Sequence, residues 1–481
     1  MAVEQVPRAS VGLRSERGPV LLAVMLSVGL VAIDSTILAT AVPSIVDDLG
    51  GFAQFPWLFS AYLLAQAVSV PLYGKLADLV GRKPIMLVGV GLFLIGSVLC
   101  GAAWDMPTLI AARVVQGLGA GAVLPMSMTI IGDLYSVSER ARVQGYTASV
   151  WGISAIVGPA LGGLFSDYLS WRWIFFVNVP LGAIAVWVLI RRFNEQVTRR
   201  THAIDYAGAV VLTGGASLLI LGLLQGGVEW AWSSVTSLTV LGAAAALLAA
   251  FVLVERRASE PILPGWVFTR RLLVGSNLAS FGVGALLIAL TSYVPLFVQG
   301  VLGTSATVAG FALAAMTIGW PLAAAMAGRC YLRIGFRDTA LTGSAFVVTG
   351  AALLMMLGEQ SQVWHVAASC FVVGLGLGLV TSPTLVAAQS SVDWGGRGVV
   401  TATNMFARSM GSAVGIAVFG AIFNASISGR MAIEGSATVD SVPNGTLDPA
   451  IHGVFLGSGV VALAVVAAVC LVPRRVRTAD R

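Results

Sequence analysis

Charge is what this sequence has least of. Asp, Glu, Lys and Arg make up 10% of its 481 residues, against about 25% in soluble domains. That scarcity excludes an ordinary soluble protein. Histidine and cysteine are sparse as well. His202, His365 and His452 lie far apart, with no H-E-x-x-H or G-x-S-x-G pattern to suggest a hydrolase in the membrane. Cys100, Cys330, Cys370 and Cys470 fall in or beside apolar runs without C-x-x-C spacing, so no disulfide or metal framework is expected. No P-loop is present, so ATP is not the expected energy source. No cofactor is expected either.

What the chain has instead is apolar length. It is 57% hydrophobic, with a mean hydropathy of +0.90. A membrane-crossing helix needs about 20 apolar residues. Fourteen such runs stand near 20–42, 56–74, 84–103, 108–131, 143–166, 173–191, 204–224, 236–254, 272–299, 306–327, 339–357, 363–388, 399–424 and 451–472. The first is longer than the usual 7–15 residues of a signal peptide's apolar core and carries Asp34, so it is read as a retained span.

The few charges fix an orientation. Arg8, Arg14 and Arg17 precede the first span. Further basic groups follow the even-numbered spans: Lys75, Arg82 and Lys83; Arg140 and Arg142; Arg191, Arg192, Arg199 and Arg200; Arg256, Arg257, Arg270 and Arg271; Arg329, Arg333 and Arg337; Arg474, Arg475 and Arg477. The intervening loops hold Asp47, Asp48, Asp105, Asp167, Glu229 and Glu359, with Arg172 and Arg430 against them. Lys and Arg concentrate on the cytoplasmic side of membrane proteins, so both termini are expected there. The net charge of +6 is thus spread over separate loops, unlike the single basic face of a nucleic-acid binder.

Between the second and third spans stands GKLADLVGRKP, Gly74 to Pro84. Its cations suit a cytoplasmic loop, but topology alone explains neither Asp78 nor the glycines Gly74 and Gly81. The pattern Gly74-Lys75, Gly81, Lys83 recurs as Gly328-Arg329, Gly335, Arg337 at an offset of 254 residues, with Leu332 where Asp78 stood. Two parallel six-helix repeats follow from this. They divide the chain into an N-terminal bundle, 1–195, an inserted helix pair with linkers, 196–260, and a C-terminal bundle, 261–481.

The loop resembles the G-x-L-a-D-r-x-G-r-k loop of the major facilitator superfamily. LIAARVVQGLGAG, from Leu109 to Gly121, resembles that superfamily's R-x-x-q-G-x-g-a motif through Arg113, Gln116, Gly117 and Gly119. Gly158-Pro159-Ala160-Leu161-Gly162-Gly163 resembles the core of its antiporter motif, although Gly152 is displaced and Ser154 stands where glycine is usual. Asp34-Ser35-Thr36-Ile37 with Ala41-Val42-Pro43, then WRWIFFVNVP (Trp171 to Pro180), and Asp205-Tyr206-Ala207-Gly208 resemble the fourteen-helix drug:proton antiporters. The resemblance runs from about Asp34 to Arg408. It implies an all-α polytopic membrane protein with the major facilitator fold, two six-helix bundles plus two inserted helices. In that superfamily the Gly74–Lys83 loop type is thought to lock the two halves together; here its expected partner is the start of the thirteenth span, after Gly395-Gly396-Arg397-Gly398.

Asp34 and Arg113 carry the chemistry. A charge at mid-membrane is costly and by default marks a functional site. Asp34 is the only acid well inside a span, and Arg113 the only base apart from Arg408. Counted from the outer ends of their spans, their depths differ by roughly 5 Å at 1.5 Å per residue, so pairing is possible; a structural ion pair is the plainer reading. A carboxyl held between burial, which favours its neutral form, and a guanidinium, which favours its anion, can change protonation as its surroundings open. Gly74, Asp78, Gly81, Arg82, Lys83, Gly158, Pro159, Gly162 and Gly163 are expected to serve conformational gating, although packing alone would explain the glycines and a packed kink would explain Pro159. Gln116, Trp151, Asn277, Tyr293, Asn404 and Arg408 are candidates for a polar substrate cavity. Trp171 and Trp173 read as interfacial anchors, and Asp205 as a helix cap.

The expected function is export of small, amphipathic or cationic drug-like compounds across a bacterial plasma membrane in exchange for protons, with a small molecule, protons and the bilayer as partners. A cation is the first expectation because one membrane carboxylate attracts it, although Arg113 and Arg408 offset that charge. An exporter of a dedicated metabolite, lipid, siderophore or amino acid is the alternative; a membrane-embedded enzyme or a non-transporting sensor is a remote one. The polar outer loop, 424–449, has no readable role.

Overall fold

The computed structural model describes residues 11–50, 57–195, 205–227, 229–258, 261–428 and 444–474. Arg8, Arg199, Arg200, His202, Arg430, Arg475, Arg477 and most of the 424–449 loop lie outside the described residues. In hydrocarbon each backbone N–H and C=O must be bonded within its own segment, and the described chain answers with helices. They are α1 (Gly18–Leu49), α2 (Trp57–Val80), α3 (Arg82–Gly101), α4 (Met106–Leu134), α5 (Val137–Tyr168), α6 (Trp173–Phe176), α7 (Asn178–Arg192), α8 (Tyr206–Gln225), α9 (Val235–Glu255), α10 (Arg271–Gly300), α11 (Ala306–Ile334), α12 (Phe336–Met355), α13 (Val363–Ser390), α14 (Arg397–Ser428) and α15 (Asn444–Cys470).

Each expected span coincides with a helix, though several helices run up to seven residues past the expected ends. The sixth is divided: α6 and α7 adjoin at Val177. Twelve helices among the described residues are long and apolar enough to cross a membrane. The two others expected to cross are α5, whose first turns carry Glu139, Arg140 and Arg142, and α8, whose apolar stretch is the shorter Ala207–Leu223.

Local chemistry sets the helix starts. Asp105 accepts from Thr108 N at 2.8 Å to open α4. Ser136 and Glu139 form a reciprocal capping box at α5. Asp205 accepts from Gly208 N at 2.8 Å at α8. Each satisfies N–H groups that a helix start leaves without a partner.

Helices α1–α7 pack on one another around two apolar clusters, and α10–α15 around a third. The repeat is visible in the backbone. Gly81 and Gly335 precede α3 and α12 with φ of 107° and 92°, a region that only glycine enters without strain. The pair α8–α9 packs as a hairpin, and α8 rests on both α2 and α14, with Ala216 and Ile220 against Ala67, Val68 and Ala413. Helix α9 buries only Ser237, Ala244 and Phe251, one residue every two turns, and its remaining faces suit lipid. The hairpin therefore sits outside the line where the two bundles meet.

The bundles meet through α2, α4 and α5 on one side and α11, α13 and α14 on the other. Every hydrogen bond or ion pair described between them lies toward the end that carries the basic loops. Tyr331 donates to Val137 O at 3.2 Å, Ser382 to Gln144 Oε1, and Gln389 to Met128 O at 3.3 Å. At the opposite rim Asp48 accepts from Arg172 at 2.7 Å and Trp171 Nε1 at 3.0 Å; these bonds hold its carboxyl below the usual carboxylate range, Arg172 contributing most. Trp171 was expected at the lipid interface. It is buried within the outer core of α1, α4 and α6, because Asp48 gives its N–H a partner there. Trp173 is half exposed.

The hairpin's membrane crossing is testable in a background with the four cysteines replaced by serine. Glu229→Cys, in the α8–α9 turn, should react with an impermeant thiol reagent on intact cells, and Arg257→Cys only after permeabilisation. Equal behaviour of the two in intact cells would show that the hairpin does not cross.

Candidate functional site

Two polar assemblies stand out from the apolar packing, one at mid-membrane and one at the basic end. The first begins with Asp34 on α1. Its Oδ2 accepts from Arg113 Nη1 at 2.7 Å, and its Oδ1 from Gln116 Nε2 at 2.8 Å. Arg113 and Gln116 are one helical turn apart on α4, so they face the same neighbours. Arg113 Nη1 also donates to Gln116 Oε1 at 2.6 Å, and Nε to the Leu58 carbonyl at 3.1 Å. Its guanidinium lies 4.1 Å from the centroid of the Tyr62 ring, near enough for cation–π attraction. Gln116 Nε2 donates to Ser97 Oγ at 2.9 Å, which in turn accepts from Asn178 at 3.3 Å.

Asp34, Gln116, Ser97 and Asn178 are all 0% exposed, and Arg113 is 1% exposed. The network thus spans α1, α2, α3, α4 and α7 with a net-neutral ion pair at its centre. Gln116, expected to line a substrate cavity, belongs to this network; its spacing from Arg113 puts it there. Ser97, Asn178 and Tyr62 were not singled out from the sequence, because their partners lie on other helices.

Close helix approach makes this geometry possible. A Cβ on Gly119 would stand 2.3 Å from Phe93 N and 2.6 Å from Gly89 O, both backbone atoms that cannot step aside. On α5, a Cβ on Gly158 would meet Thr36 Oγ1 at 2.0 Å, and Thr36 donates to Ser154 O at 3.0 Å. Helix α5 runs continuously through Gly158, Pro159, Gly162 and Gly163. Gly163 faces open space.

The second assembly joins the bundles. Asp78 Oδ1 accepts from Gly398 N at 3.0 Å and Oδ2 from Val399 N at 2.8 Å. The carboxylate therefore caps the N-terminus of α14, where orphan N–H groups and the helix dipole favour an anion. Gly74, one turn earlier, admits the approach: a Cβ there would lie 2.3 Å from Ala402 Cβ. Arg82 is 0% exposed. It pairs with Asp78 at 2.8 Å and Asp133 at 2.9 Å, donates to the Trp394 carbonyl, and stacks 3.5 Å from the centroid of the Trp394 ring. Arg397 bonds Asp133 from the other side at 3.2 Å. Glu195 accepts from the backbone of Arg82 and Lys83 at 2.8 Å each, and Lys83 Nζ donates to Ile190 O at 3.1 Å. Asp133, Glu195 and Trp394 complete the assembly. The signal for Trp394 was its polar Asp-Trp-Gly-Gly-Arg-Gly setting between apolar runs.

The remaining cavity candidates are dispersed. Asn404 bridges α14 to α10, donating to Ser276 Oγ at 3.0 Å and accepting from Ser280 at 2.8 Å. Asn277 is half-buried beside it. Tyr293 packs against Phe423. Trp151 is exposed on α5. Arg408 is half-buried on α14.

Comparison with known proteins places this architecture. The sequence model of the Major Facilitator Superfamily matches residues 24–416. The chain is 36% identical over 432 residues to "Multidrug resistance protein 3" of Bacillus subtilis, covering 88% of this chain and 84% of the relative. It is 34% identical over 432 residues to "Multidrug transporter protein MdtP" of the same organism, covering 90% and 80%. It is 32% identical over 404 residues to "Efflux pump dotC" of Dothistroma septosporum, covering 82% and 70%. The crystal structure of the human organic anion transporter MFSD10 shares the fold, with a TM-score of 0.68 at 15% identity over 94% of this chain and 99% of that one.

Two variants probe the two assemblies. Asp78→Asn removes a charge-assisted cap worth about 1–3 kcal/mol to the joined form. It should insert at wild-type levels and transport severalfold more slowly; an unchanged rate at matched expression would leave the loop with topology as its role. Gly119→Leu should lower stability by about 1–3 kcal/mol through overpacking, read as a lower melting temperature in detergent.

Proposed function

The chain belongs to the Major Facilitator Superfamily of membrane transporters, and we propose that it exports small amphipathic, drug-like compounds across a bacterial plasma membrane in exchange for protons. The observation that carries the reading is the buried pair of Asp34 and Arg113, 2.7 Å apart inside apolar helices. A charge pair so placed costs more than apolar packing would and does not need to exist for stability. The efflux and multidrug names of the relatives support the direction and the substrate class.

The proposed topology has fourteen spans with both termini in the cytoplasm. The moving parts are the bundles 1–195 and 261–481, with 196–260 riding outside. The basic loops then mark the cytoplasmic end, and the Asp78–Arg82–Asp133–Arg397 assembly closes that end in this conformation. Asp34 carries the coupling proton. When the bundles part at the cytoplasmic end, Arg113 returns to pair with the Asp34 anion and helps to expel the proton. In the closed conformation the pair is intact and dry; as the outer end opens further, water enters, the pair loosens, and Asp34 is protonated from the more acidic side. Each step follows from the competition between burial and the guanidinium for the form of one carboxyl. The proton gradient supplies the energy.

The test is transport in proteoliposomes under an imposed pH gradient, with a protonophore as control. Wild type should accumulate substrate only with the gradient. Asp34→Asn keeps the shape of the side chain but cannot titrate; it should still fold, at a stability cost of about 3–5 kcal/mol, and lose gradient-driven accumulation, a drop of at least about tenfold, equivalent to about 1.4 kcal/mol. Full gradient-driven transport by Asp34→Asn would end the proposal.

A further inference from the structure

Arg408 is the one intramembrane charge that the coupling scheme does not use. It lies eleven residues into α14 from Arg397, roughly 16 Å from the basic end at 1.5 Å per residue. That is near the middle of a hydrocarbon layer about 30 Å thick. Among the described residues no hydrogen bond or ion pair is made to it, and no ionised group acts on it. Asp34, the one acid at such depth among the described residues, is fully engaged by Arg113 and Gln116.

An unpaired guanidinium at mid-membrane is too costly to face lipid, so it belongs on an interior or cavity face. The helix register identifies that face. Asn404, Gly411 and Gly415 turn toward α10, while Ala402, Phe406, Met410 and Ala413 turn toward α2 and α8. Arg408 shares a stripe with Met405 at the edge of the α10 side, where its carbonyl lies against Gly284 and Ser412 donates to Gly284 O at 3.0 Å. One turn toward the basic end, Met405 packs with Val70, Leu124 and Met128 of the other bundle and seals the interface. Met405 is 8% exposed, whereas Arg408, Ser409 and Ser412 are half-buried. Burial thus decreases one turn beyond the seal, beside the line where the bundles meet.

We propose that Arg408 is the charge-recognising residue of the substrate site, and that the preferred substrates are amphipathic anions bearing a carboxylate, sulfonate or phosphate group. A guanidinium pairs with such groups through two parallel hydrogen bonds, and Met405, one turn away on the same stripe, offers apolar contact to the hydrophobic body. With Asp34 neutralised by its own partner, Arg408 sets the sign of the cavity. The sequence-based expectation of cationic substrates is therefore reversed. The inference rests on the export reading but is tested by binding, which needs no gradient.

The probes are three dansyl amides with matched linkers that end in a sulfonate, a trimethylammonium or a methyl group. Equilibrium binding to purified protein in detergent is read by dansyl fluorescence. The sulfonate should bind wild type at least about tenfold more tightly than the trimethylammonium probe, the scale of one charge-assisted contact. Arg408→Gln should lose that preference while its affinity for the neutral probe stays unchanged. Arg408→Lys should keep part of it, and Arg408→Glu should favour the cation. The unchanged neutral probe certifies that each variant is folded. Equal sulfonate affinity in wild type and Arg408→Gln, a cation preference in wild type, or no sulfonate binding would each overturn the proposal. Sulfonate binding without gradient-driven transport would instead fault the export reading and leave the anion site standing.

Discussion

The structure depends on one constraint: a charge inside hydrocarbon must be matched where it stands. Asp34 and Arg113 meet it within a single bundle, each 2% exposed or less at its side chain. Gln116 completes the match by donating to the carboxylate and accepting from the guanidinium. Removing either charge from such a pair leaves the other buried and uncompensated, a penalty of about 3–5 kcal/mol. The close approach of α3 and α4 at Gly89 and Gly119, and of α1 and α5 at Thr36 and Gly158, brings the backbone near enough for this arrangement. The small-residue motifs are in this sense the mechanical support of one ion pair.

The same constraint makes the contact between the bundles one-sided. Helix α5 satisfies its own first turn through Ser136 and Glu139. Helix α14 takes its cap from Asp78, a residue of the other bundle. Parting the bundles at the basic end strips α14 of that cap and Arg82 of its Trp394 contacts, while α5 loses nothing of the kind. In the second copy of the loop, Leu332 replaces the carboxylate and packs with Val137 and Tyr331. A second carboxylate there would have no orphan helix start to serve. The repeat is symmetric in backbone, as Gly81 and Gly335 show, and asymmetric in chemistry.

Much of this was legible in the sequence. The apolar runs place the helices because the contrast between hydrocarbon-facing and loop residues is large. The repeat offset and the scarce charges point directly at Asp34, Arg113 and Asp78. What was illegible is what depends on which helix lies opposite. Gln116 looked like a cavity residue until its turn of α4 was seen to face Asp34. Trp171 looked like a lipid anchor until Asp48 was found beside it. Asp133 and Glu195 are unremarkable in sequence and join the assembly only through long-range packing, as does Trp394 despite its polar setting between apolar runs. The orientation of Arg408 required the register of α14 against α2 and α10.

The central claim is that Asp34 exchanges its proton in response to substrate. Linkage requires that a compound which competes with the proton displace it on binding. The direct measurement is proton release by the purified protein in weakly buffered detergent as a transported compound is added. At a pH where the substrate-free protein holds a proton on Asp34, the account predicts release approaching one proton per molecule bound for wild type and none for Asp34→Asn at equal substrate occupancy. Equal release by both proteins would contradict it.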